Sequence, residues 1–337
     1  LSGPVNGEDR MIVVTGGAGF IGSNVVAALA ERGLEVAVVD RLGRGAKWRN
    51  LAHHDVAALV DPKEFFPWLS TRGSQVEAVV HMGAISATTE TDVDLIADTN
   101  IRLTLSLWDW CTVNQVPFIY ASSAATYGDG SQGFDDDPSH EGLSLLRPLN
   151  PYGWSKLFVD RRVARLVREG ESIPPRWAGL RFFNVYGPNE YHKGTMRSVA
   201  QQAWERAAAG EPVRLFRSHH PDYRDGGQLR DFIHVDDCVR VILWLLDSPS
   251  VSGLFNCGTG KARSFLELAE TVFGALGREP RIEWVDTPEE IRDRYQYFTE
   301  ARMDRLRAAG YRTPFLTLEE GVIDYVRSYL EGADPYR

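Results

Sequence analysis

Tyr152 and Lys156 stand four residues apart in the stretch NPYGWSKLFVD, residues 150–160. If that stretch is helical, the two lie one above the other on a single face. A lysine ammonium beside a phenol stabilises the phenolate and draws a pKa of ~10 toward neutrality. A tyrosine so placed can exchange a proton with a hydroxyl. Ser122 and Ser123 in VPFIYASSAATYG, residues 116–128, offer further hydroxyls at what reads as a strand end. A Y-x-x-x-K pair alone is common on helices by chance, so its meaning depends on a second signal. Gly16, Gly19 and Gly22 supply one, spaced three apart within MIVVTGGAGFIGSNVVAALAERGLEVAVVD, residues 11–40. Such spacing lets the backbone turn sharply and lets a pyrophosphate approach the amides of a helix N-terminus. Asp40 ends the same unit, placed to bond an adenosine ribose.

These groups require particular elements to carry them. Ile12–Thr15 is a β-branched run, Ile21, Val25, Val26 and Leu29 repeat with helical period, and Val36–Val39 is a second apolar run. The pattern is strand, glycine turn, helix, strand. Strand patterns recur at residues 76–84, 116–128 and 177–187, with a helical stretch around Ile101–Cys111. Apolar strands alternating with helices predict an α/β fold, a Rossmann-type doubly wound parallel sheet, here with a smaller C-terminal α/β substrate lobe. Ligands of such sheets bind at the carboxyl ends of the strands, which here carry Gly83, Ala84 and Ser86, then Ser122 and Ser123, then Asn184. A bare Asp40 favours NAD, whereas Arg41, Arg44 and Lys47 after it offer charge for a 2′-phosphate. For each of these three cations a plain surface charge is an equal alternative; the balance is read as NADP with NAD tolerated.

The chain of 337 residues, 43% hydrophobic and 25% charged, has room for one large α/β domain with an appended lobe. A formal net charge of −9 argues against a nucleic-acid surface, which clusters Lys and Arg. Cys111, Cys238 and Cys257 are scattered and odd in number, and read as core thiols of a reducing compartment. No apolar run approaches the roughly 20 residues that span a bilayer, so a cytoplasmic protein without a membrane partner is expected. Residues 1–10, LSGPVNGEDR, are taken as an added leader outside the fold, with Met11 a natural start. The loop 218–228, SHHPDYRDGGQ, reads as a mobile rim; His219, His220 and Asp222 have no element to fix them, and no metal is expected. Asp236 in RDFIHVDDCVRVILWLL reads as a helix N-cap, and Trp108 and Trp110 as packing.

Together the glycine turn, ASSAATYG and NPYGWSK resemble the extended short-chain dehydrogenase/reductase superfamily, which includes sugar-nucleotide epimerases and dehydratases, over residues 11 to about 330. The resemblance implies that Ser123 and Tyr152 bond the substrate hydroxyl, that Tyr152 moves its proton, and that Lys156 also holds the nicotinamide ribose. Further stretches, above all YHKGTM and RYQYFT, resemble the ADP-heptose 6-epimerase family. That resemblance implies oxidation at C6 to a ketone and return of the hydride to the opposite face through a retained cofactor, in heptose synthesis for lipopolysaccharide inner core. It makes Lys193 a second acid/base group opposite Tyr152; from the residues alone the favoured reading of Lys193 is a solvent- or phosphate-facing charge. It also implies cofactor contacts by Phe20, Ile21, Arg41 and Lys47, by Met82, Gly83, Ala84 and Ser86, and by Thr99 and Val185. Substrate contacts implied are Ser86, Ser123, Asn184, Thr195, Gln202, Phe216, Arg230 and Tyr295, with Arg230 facing the diphosphate unless it pairs with Asp231 or Asp225. Thr195 replaces the family's common serine and keeps the hydroxyl. The nucleotide domain is taken as 11–180 with about 231–260, the lobe as 181–230 and 261–330, and a homo-oligomer, pentameric in the family, is implied. A UDP-hexose 4-epimerase is the rival on the same frame; a dehydratase lacks its carboxylate where Ala124, Ala125 and Thr126 stand. A silent NADP-binding regulator conflicts with intact Ser123, Tyr152 and Lys156.

Overall fold

A computed structural model describes residues 10–292 and 295–337; residues 1–9 of the expected leader lie outside the described residues. The Val- and Ile-rich runs become the strands β1 (Met11–Thr15), β2 (Glu35–Val39), β3 (Ala58–Val60), β4 (Val76–His81), β5 (Phe118–Ser123) and β6 (Trp177–Phe182). With β7 (Asn184–Tyr186), β8 (Val213–Phe216), β9 (Leu229–His234) and β10 (Gly253–Cys257) the chain moves away from this sheet and returns to it. The order is β10-β6-β5-β4-β1-β2-β3, with every pairing parallel. The chain therefore leaves β1 toward β2 on one side and resumes at β4 on the other. The crevice beyond the carboxyl ends of β1 and β4 is the topological switch point where such sheets bind ligands.

Because both faces are covered, side chains alternate between two cores rather than between core and water. Ile12 and Val14 pack with Val239 and Ile242 on one face, while Val13 packs with Leu107, Trp108 and Val159 on the other. Trp108 is buried against Phe118 and Trp177, and the ring of Trp110 would meet a Cβ at Gly73, so both serve packing. Beyond the main sheet, β11 (Ala262–Ser264), β9 and β7 form a second sheet, and β12 (Ile282–Val285) pairs with β8 in a third. A separate apolar core of Ala203, Phe232, Leu268 and Val322 supports these two.

Three elements depart from the sequence expectation. The run 177–187 is not one strand: it breaks at Phe183, so β6 stays in the main sheet while β7 joins β9. The stretch MRSVAQQAWERAAAG, residues 196–210, has the composition of one continuous helix, but the helix begins only at Val199, where the Ser198 side chain caps it by accepting the Gln201 N–H. Asp236 is not a cap. β9 runs extended up to His234, and it is the His234 ring that accepts the Asp236 N–H at the head of the helix Val235–Asp247; Asp236 sits within the first turn and pairs with Arg337. The three cysteines are buried and free. Among the described residues no helix is long and apolar enough to cross a membrane.

Candidate active site

The glycine turn is built by close backbone approach. Gly16 has φ +65°, and a Cβ there would lie 2.6 Å from Gly83 Cα, which brings the turn after β1 against the turn after β4. A Cβ on Gly22 would fall 2.1 Å from the Gly16 carbonyl oxygen. The helix Phe20–Glu31 starts at Gly19 with no side-chain cap, so its first amides remain available to an anion. Asp40 is already engaged: Oδ2 accepts the Ala18 N–H at 2.9 Å, while Oδ1 accepts the Arg41 N–H at 2.7 Å and the Lys47 ammonium at 2.6 Å. Crowded glycines, an uncapped helix start and an acid at the end of β2 together fit a dinucleotide.

A cleft of about 530 Å³ opens on this turn. It is lined by Gly16, Gly19, Phe20, Ile21, Gly22, Asp40 and Lys47 from the first unit, and by Met82, Gly83, Ala84 and Ser86 after β4. Ser123, Tyr152, Lys156, Val185 and Lys193 complete it, together with His192. Tyr152 and Lys156 belong to the helix Pro151–Glu169, whose N-cap Asn150 accepts the Gly153 N–H. Lys156 Nζ donates to the Ala121 carbonyl at 2.8 Å. Burial draws its pKa down to about 8, against the pull of Asp160. The Tyr152 phenol behaves differently from the sequence expectation: burial pushes it up, and a hydrogen bond with Ser123, not Lys156, opposes the rise. Lys193 lies in the turn Tyr191–Met196 with its ammonium 5.4 Å from the centre of the Phe20 ring. Burial lowers its pKa while Glu190 holds it up. His192, drawn down to about 4 by burial, Lys47 and Lys193, is neutral at ordinary pH.

A second cavity of about 520 Å³ gathers Gln202, Phe216, Arg230 and Tyr295. The Arg230 guanidinium lies between the Phe265 and Tyr295 rings, at 5.4 and 5.5 Å. It does not pair with the acids named from the sequence, because Asp231 takes the amides of Thr259, Gly260 and Ala301 and Asp225 takes that of Ser218. Arg230 instead donates to the carbonyls of Leu229 and Gln296. Five residues named from the sequence line neither cavity. Arg41 is exposed, 4.0 Å from Asp61, Arg44, Asn184 and Thr195 are exposed, and Thr99 lies in the π-helical segment Ala97–Arg102.

Sequence reasoning missed the groups beneath the cleft. Asp160 and Arg181, both fully buried, pair at 2.9 Å; Asp160 also accepts the hydroxyls of Ser122 at 2.9 Å and Tyr120 at 3.2 Å. Asp160 stands four residues beyond Lys156, so the helical spacing that singles out Tyr152 and Lys156 could have found it. Asn100 accepts the Ile85 N–H at 2.8 Å and donates to the Ile85 carbonyl and to Ser155 Oγ, which ties the turn after β4 to the helix of Tyr152. Only its polarity within an apolar helical run hints at this.

Residues 12–258 match the NAD dependent epimerase/dehydratase family. The chain belongs to that family. It is 51% identical over 97% of its length to the whole of a protein of Nitratidesulfovibrio vulgaris (strain DP4) named ADP-L-glycero-D-manno-heptose-6-epimerase. A protein of the same name from Fusobacterium nucleatum is 43% identical, with 97% of this chain and all of that one covered. Among solved structures, the Helicobacter pylori ADP-L-glycero-D-manno-heptose-6-epimerase superposes with a TM-score of 0.76 at 28% identity, covering 95% of this chain and 96% of that one. Thermus thermophilus UDP-glucose 4-epimerase, solved with NAD, gives 0.74 at 27% identity over 96% and 100%. Family membership implies a nicotinamide cofactor.

Proposed function

We propose that the chain interconverts ADP-D-glycero-β-D-manno-heptose and ADP-L-glycero-β-D-manno-heptose at C6, supplying heptose for lipopolysaccharide inner core. The observation that carries this reading is that two ionisable groups able to move a proton, Tyr152 and Lys193, line one cleft with the glycine turn. Inverting an unactivated carbinol carbon requires its hydroxyl to lose a proton from one orientation and regain it in the other, which one group cannot easily reach from both sides. Tyr152 takes or returns the proton for one epimer, and Lys193 does so for the other. Ser123 orients the hydroxyl, and Lys156 would hold the nicotinamide ribose. A bound nicotinamide would supply the reversible hydride acceptor at C6, with no net oxidation. Arg230, in the second cavity, suits a diphosphate because its planar fork bonds two oxygens.

NADP is the cofactor this reading favours, with NAD tolerated: Lys47 pairs with Asp40, a carboxylate that would otherwise repel a 2′-phosphate. Exposed Trp154, Phe158 and Leu145 support a homo-oligomer, a pentamer by resemblance, and three free buried thiols accord with the cytoplasm.

The test is to incubate the purified protein with ADP-D-glycero-β-D-manno-heptose without added cofactor and to separate the C6 epimers by anion-exchange chromatography. An equilibrium mixture is expected. No conversion even with NADP supplied, alongside turnover of UDP-glucose, would replace this reading with a 4-epimerase.

A further inference from the structure

Lys193 is carried by a loop that three buried asparagines fasten to the glycine turn. Asn24, in the helix Phe20–Glu31, donates Nδ2 to the Phe20 carbonyl at 2.9 Å and to the Pro188 carbonyl at 3.0 Å. Asn50, in the turn Ala46–Leu51 that also holds Lys47, donates Nδ2 to the Ala18 carbonyl at 2.9 Å and the Asn189 carbonyl at 3.0 Å, and lies 3.2 Å from His192 Nδ1. Asn189 adopts φ +72°, in the left-handed region. Its Nδ2 donates to Ser23 Oγ at 3.0 Å and its Oδ1 accepts the Arg337 N–H at 3.0 Å. All three are at most 1% exposed.

These amides are poor choices for stability alone. A buried amide costs free energy unless its groups are bonded, and among the described residues the Oδ1 atoms of Asn24 and Asn50 have no partner. What the three supply is geometry. A lysine side chain has many rotamers to lose, so Lys193 can be aimed only if its backbone is held. The Lys193 N–H is bonded to the Glu190 carbonyl at 3.0 Å. The Glu190 carboxylate in turn takes the hydroxyls of Ser198 at 2.7 Å and Tyr325 at 3.1 Å. From Gly187 to Ser198 the loop is thus pinned on one side to the lobe and on the other to the nucleotide turn.

We propose that Asn24, Asn50 and Asn189 are positioning residues that index Lys193 to the glycine turn, so that the dinucleotide seat and the second proton carrier move as one body. The inference rests on the reading of Lys193 as that carrier. None of the three touches a reacting atom; they act through the loop. Nucleotide on the turn then orders Lys193, and a loosened clamp impairs only the epimer whose hydroxyl faces Lys193.

Two measurements test this on the full chain, with Asn50→Ala, Asn189→Gly and Lys193→Met. Glycine keeps the left-handed backbone at no steric cost, so Asn189→Gly removes the ties alone and decides the matter should Asn50→Ala fail to fold. First, single-turnover reduction of bound cofactor is followed with each C6 epimer separately. Lys193→Met is expected to slow one epimer, and both clamp variants the same epimer, on the order of 10²-fold, with the other near the parent rate. Second, deuterium exchange of residues 187–196 is followed as NADP is added to cofactor-free protein: protection is expected in the parent and lost in the clamp variants. Clamp variants that slow both epimers alike, or neither, while Lys193→Met discriminates, overturn the clamp and leave the epimerase reading intact. If Lys193→Met itself does not discriminate, that reading falls, and unchanged protection in the variants overturns the clamp independently.

Discussion

Lys156→Met should make the cofactor-free protein more stable while abolishing its chemistry. Lys156 is almost wholly buried, and burial lowers its pKa from the ordinary lysine value of 10.5 to about 8. At neutral pH that difference corresponds to about 3 kcal/mol of penalty for keeping the ammonium inside the folded protein. Methionine removes the penalty but leaves the Ala121 carbonyl without its 2.8 Å donor, a loss of about 1 kcal/mol. The expected gain is therefore about 2 kcal/mol at pH 7. Its pH dependence has a definite sign. Between the folded and unfolded values the unfolded chain binds the extra proton, so the parent gains stability as pH rises from about 8 toward 10.5. The advantage of the variant should shrink across that window, pass through zero inside it, and give way at its upper end to a deficit of about 1 kcal/mol, the lost Ala121 bond. Urea midpoints collected from neutral to alkaline pH measure this directly. A variant less stable than the parent at pH 7, with a gap that does not change with pH, would refute the claim that the cleft holds this charge at a cost.

Other perturbations probe the remaining parts. Asp160→Leu strands the Arg181 guanidinium and should lose about 3–5 kcal/mol in urea unfolding, whereas Asp160→Leu with Arg181→Met should recover much of it; equal losses would exclude the pair as the source. Gly22→Ala drives a Cβ into the Gly16 carbonyl, so fluorescence titration should show nucleotide binding lost even if the protein stays folded, and unaltered binding would contradict the turn geometry. Lys47→Met should weaken NADP about tenfold or more, the worth of one charge-assisted bond, with NAD little changed; equal weakening of both would remove the 2′-phosphate assignment. Arg230→Met should raise KM for the ADP-sugar far more than it lowers kcat, and a pure kcat effect would place Arg230 elsewhere in the reaction.

What the sequence discloses follows the range of the interaction. The glycine turn and the Tyr152–Lys156 face depend on contacts within a few residues, so spacing and chain order suffice. The break at Phe183 is set by which sheet offers an edge, β5 to one side and β9 to the other, and those edges lie far away in the chain. Asp236 and His234 compete to head the same helix, and the winner depends on where β9 stops pairing, which local composition does not encode. Asn50 is the extreme case: its acceptors at Ala18 and Asn189 lie 32 and 139 residues away, and nothing near it in the chain marks it. Tyr152 adds a limit of another kind. Spacing brings Lys156 onto its face, but the direction of the phenol's shift is decided by burial and by Ser123.

The late return of β10 to the main sheet constrains how the protein can be made. β6 is complete at Phe182, yet its outer edge pairs only with Gly253–Cys257. At synthesis rates of about 5–20 residues per second, residues 183–257 take roughly 4–15 s to appear. For that interval a nascent chain presents an unpaired parallel edge flanked by apolar surface, open to strand pairing with a neighbour on the same message. Release of a truncated chain ending before Gly253 would make that exposure permanent, so premature termination in the second half should yield aggregate rather than a free nucleotide-binding fragment.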